Sequence, residues 1–159
     1  MRPYERDPAE IYARSFATVR QEARLDRFPA SMEPVVVRLI HACGMIEIAD
    51  RLAHSPHAAD SGAAALAGGA PILCDCEMVA AGITRRFLPA DNPVIVTLND
   101  ARVPGMAQSA ETTRSAAAVD LWRDHIAGAV VAIGNAPTAL FHLLERLDAG
   151  WPPPALILG

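Results

Sequence analysis

The chain has 159 residues, of which 52% are hydrophobic and 20% charged, and its formal net charge is -4. This length and apolar content suit a single domain, residues 1–159, and the negative charge argues against binding to a nucleic-acid backbone. No apolar run reaches the roughly 18 residues that cross a bilayer, and the N-terminus lacks the apolar core of a signal peptide, so we expect a cytoplasmic protein.

All 14 basic residues are arginines. The absence of lysine excludes a lysine Schiff base, hence the usual pyridoxal-phosphate chemistry, and the lysine of a Walker-type loop. The sequence also contains no Gly-x-Gly-x-x-Gly motif, which disfavours a dinucleotide cofactor. Converging guanidinium groups could still bind an anionic small molecule, because each can hold a carboxylate through two parallel hydrogen bonds.

The N-terminal third has the pattern of two or three helices. Asp7, Pro8 and Glu10 are typical of a helix start. The apolar face of this first helix consists of Tyr12, Phe16, Val19 and Ala23.

A second helix is predicted to begin at Ser31, which would cap it, and to tolerate Pro34 in its first turn. Gly44 can end this helix. A third helix is predicted over residues 57–66, where Gly68 and Gly69 stop it.

Four short apolar runs follow, at residues 72–74, 94–98, 129–133 and 155–158. Because they are apolar throughout, they suit strands that are covered on both faces. Helical patterns lie between them, notably at residues 115–126 and 137–147. This alternation predicts an α/β fold, a three-layer Rossmann-like arrangement with N-terminal helices and a mainly parallel sheet joined by right-handed crossovers.

Ligands of such sheets bind beyond the carboxyl ends of the strands. Residues 75–77, 99–102 and 134–137 occupy these positions. The backbone amides of residues 134–137 precede a helix, where the helix dipole favours an anion, although a tight strand-to-helix turn explains the same residues.

Cys74 and Cys76 lie two residues apart on a strand and therefore share a face. With His41 or Glu77 they could complete a tetrahedral metal site, but the sequence has no second cysteine pair and no histidine cluster. Buried structural cysteines in a reducing compartment, without a metal, are the expectation. Cys43 is not expected to act with His41, because residues two apart on a helix project about 200° apart.

His41 follows Arg38 by one helical turn and lies close to the end of its helix. The helix dipole favours a cation there, so we expect an imidazolium that can act as a general acid. A histidine on an apolar helix can also be a packed core residue, and the sequence pattern alone leaves both interpretations open.

Three strings, at residues 38–44, 112–118 and 130–140, together resemble precorrin-8X methylmutase, the precorrin isomerase family of cobalamin biosynthesis. The resemblance extends from residues 11–16 through residues 71–75 to the last five residues. It implies an enzyme that moves a methyl group from C-11 to C-12 of precorrin-8X, a tetrapyrrole, to give hydrogenobyrinate. It also implies a homodimer that needs no cofactor.

The resemblance assigns the catalytic acid to His41 and substrate contacts to Ser15 and Arg38. Further candidates for substrate binding carry guanidinium or hydroxyl groups: Arg14, Thr84, Arg85 and Arg114. Each of these arginines could instead be a solvated surface charge.

Family members continue past the strand that matches residues 155–158. The resemblance therefore implies a domain that is truncated at its C-terminus, with part of the substrate pocket missing or supplied by another chain. Two alternatives to the isomerase stay open: a corrinoid-binding module or inactive fragment without catalysis, and a metal or redox protein built on Cys74 and Cys76.

Overall fold

The computed structural model describes Arg2 and residues 4–159. Its contacts divide the chain into two compact units, Met1–Asp60 and Ser61–Gly159. The single domain expected from the sequence stays a prediction, and the two units are described separately. Within the described residues, no helix is long and apolar enough to cross a membrane.

The first unit is helical. It contains α1 (Pro8–Glu22), α2 (Glu33–Cys43), the short α3 (Ile48–Arg51) and the beginning of α4 (Ala58–Ala67). The side chain of Asp7 accepts a hydrogen bond from the N–H of Ala9 at 2.8 Å, which confirms the predicted start of α1. The buried residues of this unit come mainly from the inner faces of α1 and α2: Val19, Met32, Val36, Val37, Ile40 and Ala49.

The predicted cap of α2 is wrong. Met32 occupies the cap position, and the hydroxyl of Ser31 instead donates a hydrogen bond to the carboxylate of Asp60 at 3.2 Å. The helix begins at Glu33, so Ser31 lies one residue before the cap position. The predicted end of α2 is confirmed, because Gly44 adopts a left-handed conformation with φ +71° there.

The second unit is an α/β sandwich. Its strands are β1 (Ile72–Cys74), β2 (Val94–Val96), β3 (Val130–Ala132) and β4 (Leu156–Leu158). They form one sheet in the order β2-β1-β3-β4, and every neighbouring pair is parallel. The helices between the strands are α5 (Glu77–Gly82), α6 (Val103–Ser109), α7 (Arg114–Val119) and α8 (Pro137–Asp148).

Both faces of this sheet are covered. Alternate strand residues face opposite sides. One set packs with Trp122 and with α8: Leu73, Ile95, Val131 and Ile157. The other set packs with α5 and the end of α4: Ile72, Cys74, Val94, Val96, Val130, Ala132 and Leu156. The predicted three-layer α/β fold with a parallel sheet is thereby confirmed.

Some predicted boundaries are wrong. The helix predicted over residues 115–126 ends at Val119, and a 3-10 turn, Asp120–Trp122, follows it. The side chain of Asp120 bonds to α8 at this point, and Trp122 turns into the core. The sequence pattern did not predict α5 and α6, because each is only six or seven residues long.

Candidate functional site

A serine and a histidine meet between the first two helices. The Oγ of Ser15 on α1 lies 2.7 Å from the Nδ1 of His41, which is in the last turn of α2. The ring centre of Tyr12 lies 5.1 Å from that of His41, and the ring centre of Phe16 lies 5.2 Å away in an edge-on arrangement. The imidazole is therefore held by one hydrogen bond and two aromatic contacts.

The hydrogen bond with Ser15 leaves the second ring nitrogen of His41 available. In the described part of the chain, the Nε2 of His41 has no hydrogen-bond partner. A serine hydroxyl can donate to a bare Nδ1 and can accept from a protonated one. The same contact therefore suits the neutral ring with its proton on Nε2 and the imidazolium with protons on both nitrogens.

His41 and Ser15 line a cleft of the first unit. The cleft has a volume of about 300 Å³, at the small end of ligand pockets. Its walls combine apolar side chains with hydroxyl groups, one carboxylate and the imidazole: Ser15, Thr18, Val19, Glu22, Ile40, His41, Gly44 and Ile46. The imidazole of His41 therefore lies beside a partly apolar surface.

The structure brings Arg38 close to the same aromatic ring. Its guanidinium carbon lies 5.5 Å from the ring centre of Phe16, so Phe16 contacts both Arg38 and His41. Arg38 is exposed and forms no ion pair with any described residue. Arg14 is also exposed, on α1 beside Ser15. Both guanidinium groups are therefore accessible to a ligand.

The other predicted substrate contacts belong to the second unit. Thr84 and Arg85 are exposed at the 3-10 turn Arg85–Phe87, which follows α5. Arg114 is the first residue of α7, and its Nη2 donates to the carbonyl oxygen of Leu98 at 3.2 Å and to Oδ1 of Asn99 at 3.3 Å. These acceptors follow β2, so Arg114 lies near the carboxyl end of that strand.

The predicted anion site at residues 134–137 already holds an anion of the chain itself. The carboxylate of Asp75, only 3% exposed, accepts hydrogen bonds from the backbone N–H groups of Gly134 at 3.2 Å, Asn135 at 3.0 Å and Ala136 at 2.8 Å. The sequence analysis missed this pairing. An acidic residue directly after a buried strand was the signal that could have indicated it.

Among the described residues, Cys43 forms no hydrogen bond with His41. The Sγ of Cys43 contacts the carbonyl oxygen of Ile40 at 3.8 Å, and Cys74 and Cys76 are buried. Burial, together with the neighbouring Asp75 and Cys76, raises the pKa of Cys74 to about 11, so this thiol stays protonated at neutral pH. Among the described residues, no group of three His, Cys, Asp or Glu side chains could hold a metal ion.

A second histidine, His142, is bound in a network that the sequence analysis did not identify. Its Nε2 lies 3.0 Å from Oδ1 of Asp120, and Arg146 forms two hydrogen bonds with the same carboxylate, at 2.6 and 3.0 Å. Burial opposes ionisation of Asp120, but the hydrogen bonds from Arg146 and His142 outweigh it and lower the pKa. This network joins the 3-10 turn after α7 to α8.

Comparison with known proteins identifies the family. The precorrin-8X methylmutase (CbiC) family model matches residues 10–159. The chain belongs to this family. It is 60% identical over 156 residues to a precorrin-8X methylmutase from Pseudomonas aeruginosa, an alignment that covers 98% of this chain and 75% of the relative. A relative of the same name from Sinorhizobium is 56% identical over 156 residues, covering 98% and 74%.

A solved structure supports the same assignment. The precorrin-8X methylmutase of Thermus thermophilus superimposes with a TM-score of 0.81 at 36% identity, covering 94% of this chain and 72% of that one. The resemblance inferred from the sequence is confirmed. The chain is accordingly an isomerase of cobalamin biosynthesis, of the intramolecular transferase class.

Proposed function

We propose that this chain moves a methyl group from C-11 to C-12 of precorrin-8X, giving hydrogenobyrinate, with His41 as the general acid. The observation that carries the proposal is the pairing of His41 with Ser15 beside an accessible cleft. One ring nitrogen of His41 is engaged, and the other has no partner among the described residues and could face a ligand. A packed core histidine would have both nitrogens satisfied within the protein.

The reaction needs no external reactant, because substrate and product are isomers. In the proposed step, Nε2 of His41 places a proton on a nitrogen of the macrocycle, which shifts the conjugation so that the methyl group can migrate. The proton returns to Nε2 afterwards. Throughout, the Nδ1–H of His41 can keep donating its hydrogen bond to the Oγ of Ser15, and the carboxyl end of α2 favours the charged ring before transfer.

The proposed substrate contacts match a macrocycle with an anionic rim. A cleft of about 300 Å³ accommodates one edge of a tetrapyrrole rather than the whole ring. Ser15 and Arg38 would contact the substrate near His41. The carboxylates of the rim would also bind guanidinium and hydroxyl groups elsewhere on the chain: Arg14, Thr84, Arg85 and Arg114.

The rest of the proposal concerns partners and place. We take the cobalt-free macrocycle as substrate, which the names of the two relatives above support. We also propose a cytoplasmic homodimer that needs neither a cofactor nor nucleic acid. The net charge of -4 supports the last point, because phosphate-backbone binding depends on a positive surface.

The direct test is conversion of purified precorrin-8X. The absorption spectrum should change to that of hydrogenobyrinate when the chain is added, and mass spectrometry should find an unchanged mass. A spectrum that responds to binding but never progresses to product would contradict the isomerase proposal and favour the corrinoid-binding alternative. No response at all would contradict both.

A further inference from the structure

Asp75 occupies the point of the sheet where ligands of α/β proteins usually bind. It follows β1 directly, and β1 and β3 are adjacent strands. Helix α5 leaves β1 toward one face of the sheet, whereas α8 leaves β3 toward the other. The two helices diverge here, so the carboxyl ends of β1 and β3 form a topological switch point.

The carboxylate of Asp75 fills this position with a built-in anion. It accepts the N–H groups of residues 134, 135 and 136 at 2.8–3.2 Å, at the N-terminus of a helix of 12 residues. The next residue, Pro137, has no N–H to offer. Asp75 therefore satisfies the donors that a bound anion would otherwise take and fixes where α8 begins.

A chain of hydrogen bonds leads from the start of α8 to Arg114. The Oγ1 of Thr138, in the first turn of α8, lies 2.9 Å from the Oγ1 of Thr113. Thr113 caps α7, since its hydroxyl accepts the N–H of Ala116 at 3.1 Å. Arg114 is the next residue, and only its Nη2 has partners among the described residues, Leu98 and Asn99.

We propose that Asp75 is a positioning residue for substrate binding: it holds the start of α8 so that Thr138 and Thr113 orient Arg114 toward a substrate carboxylate. Asp75 itself is too buried to contact substrate. The inference rests on the proposed function, because it takes Arg114 as a carboxylate-binding residue. It also predicts that substrate affinity depends on the buried carboxylate of Asp75.

Chemical rescue tests this role. Asp75→Ala leaves a space in which the three N–H groups have no acceptor, and formate can enter as a replacement carboxylate. We expect the KM for precorrin-8X to rise roughly tenfold in Asp75→Ala while kcat stays within about threefold, and formate to restore KM. In Asp75→Asn the amide fills the space, so KM should rise without rescue.

Asp148→Ala is the matched control. Asp148 is the last residue of α8, at the opposite end of that helix from Asp75, and it is exposed. Its replacement should leave KM unchanged with or without formate. If Asp75 were purely structural, Asp75→Ala would instead lower kcat as well as kcat/KM. Formate would then restore both.

Thr138→Val keeps the test decisive if Asp75→Ala fails to fold. It removes only the hydroxyl that meets Thr113, so KM should rise several-fold, and Arg114→Ala added to it should cause no more loss than Arg114→Ala alone. Three results would each overturn this inference without affecting the proposed function. They are an unchanged KM in active Thr138→Val, additive effects of Thr138→Val and Arg114→Ala, and no formate rescue in folded Asp75→Ala. An unaltered chain that neither binds nor converts precorrin-8X overturns the proposed function and this inference with it.

Discussion

His41 and Asp75 are both polar side chains at helix ends, but they use those ends differently. His41 lies at the carboxyl end of α2, half-buried, with one nitrogen bonded to Ser15 and the other without a partner among the described residues. Asp75 lies at the amino end of α8, buried, with three N–H donors on its carboxylate. A helix dipole favours an anion at the amino end, where Asp75 lies, and a cation at the carboxyl end, where the proposed mechanism needs one.

The difference lies in what remains unsatisfied. The carboxylate of Asp75 already accepts three backbone hydrogen bonds, so its removal should lower the stability of the fold. The Nε2 of His41 has no partner among the described residues, so removal of His41 should lower turnover. The number of hydrogen bonds that a polar side chain forms at a helix end, rather than its residue type, therefore distinguishes a residue that supports the fold from one that can act on a ligand.

The largest expected effect on stability comes from Asp75. Asp75→Asn should lower the free energy of unfolding by about 3 kcal/mol, because it places an amide N–H₂ among backbone donors that then lack acceptors. His41→Gln should change it by less than about 1 kcal/mol. Urea denaturation followed by circular dichroism measures both, and equal losses for the two variants would remove the distinction drawn above.

Arg38 should contribute to ligand affinity rather than to the fold. Arg38→Ala removes an accessible guanidinium near His41, and a lost charge-assisted contact should weaken hydrogenobyrinate binding roughly ten- to a hundredfold. The effect should shrink as salt concentration rises. Arg51→Ala, an exposed arginine on α3, is the control, and an equal loss in both variants would mean that net charge alone explains the binding.

The hydroxyl of Ser15 should matter to turnover through His41. Ser15→Ala should lower kcat about tenfold, since the ring loses the hydrogen bond that holds Nδ1 and orients Nε2. Ser31→Ala is a useful comparison, because the side chain of Ser31 bonds to Asp60 and to no other side chain among the described residues. Steady-state rates that are the same for Ser15→Ala and Ser31→Ala would show that the short contact with His41 has no catalytic consequence.

The smallest expected effect concerns Asp120, the carboxylate that bonds to His142 and Arg146. Because the folded pKa of Asp120 is lowered, its interactions with Arg146 and His142 stabilise the fold above about pH 4, and this stabilisation is lost as the pH falls through the folded pKa. Asp120→Asn should remove that part of the pH dependence of unfolding. Asp124→Asn, at an exposed position, should retain it; identical pH profiles for the unaltered chain and Asp120→Asn would contradict this account.

Much of the fold was predictable because its signals are local. The Asp7 cap, the Gly44 helix end and the four apolar runs each act within a few residues, and the structure contains all of them. Ser31 was mispredicted as the cap of α2, and its partner in the structure, Asp60, lies 29 residues away. No local pattern reports such a partner.

The site shows the same division. The resemblance selected Ser15 and His41, and the structure brings them within 2.7 Å across 26 residues of sequence. The pairing of Asp75 with residues 134–136 bridges about 60 residues, so it depends on β1 and β3 being neighbours in the sheet. The order of strands, which the sequence pattern did not specify, decides what fills the amino end of α8.

The central claim is that His41 supplies the proton, and single-turnover conversion of precorrin-8X tests it most directly. His41→Ala should slow the optical change by at least about a hundredfold while hydrogenobyrinate still binds with near-normal affinity. His125→Ala, at an exposed histidine of the second unit, should convert substrate at the unaltered rate. Turnover by His41→Ala within a few-fold of the unaltered chain would contradict the account.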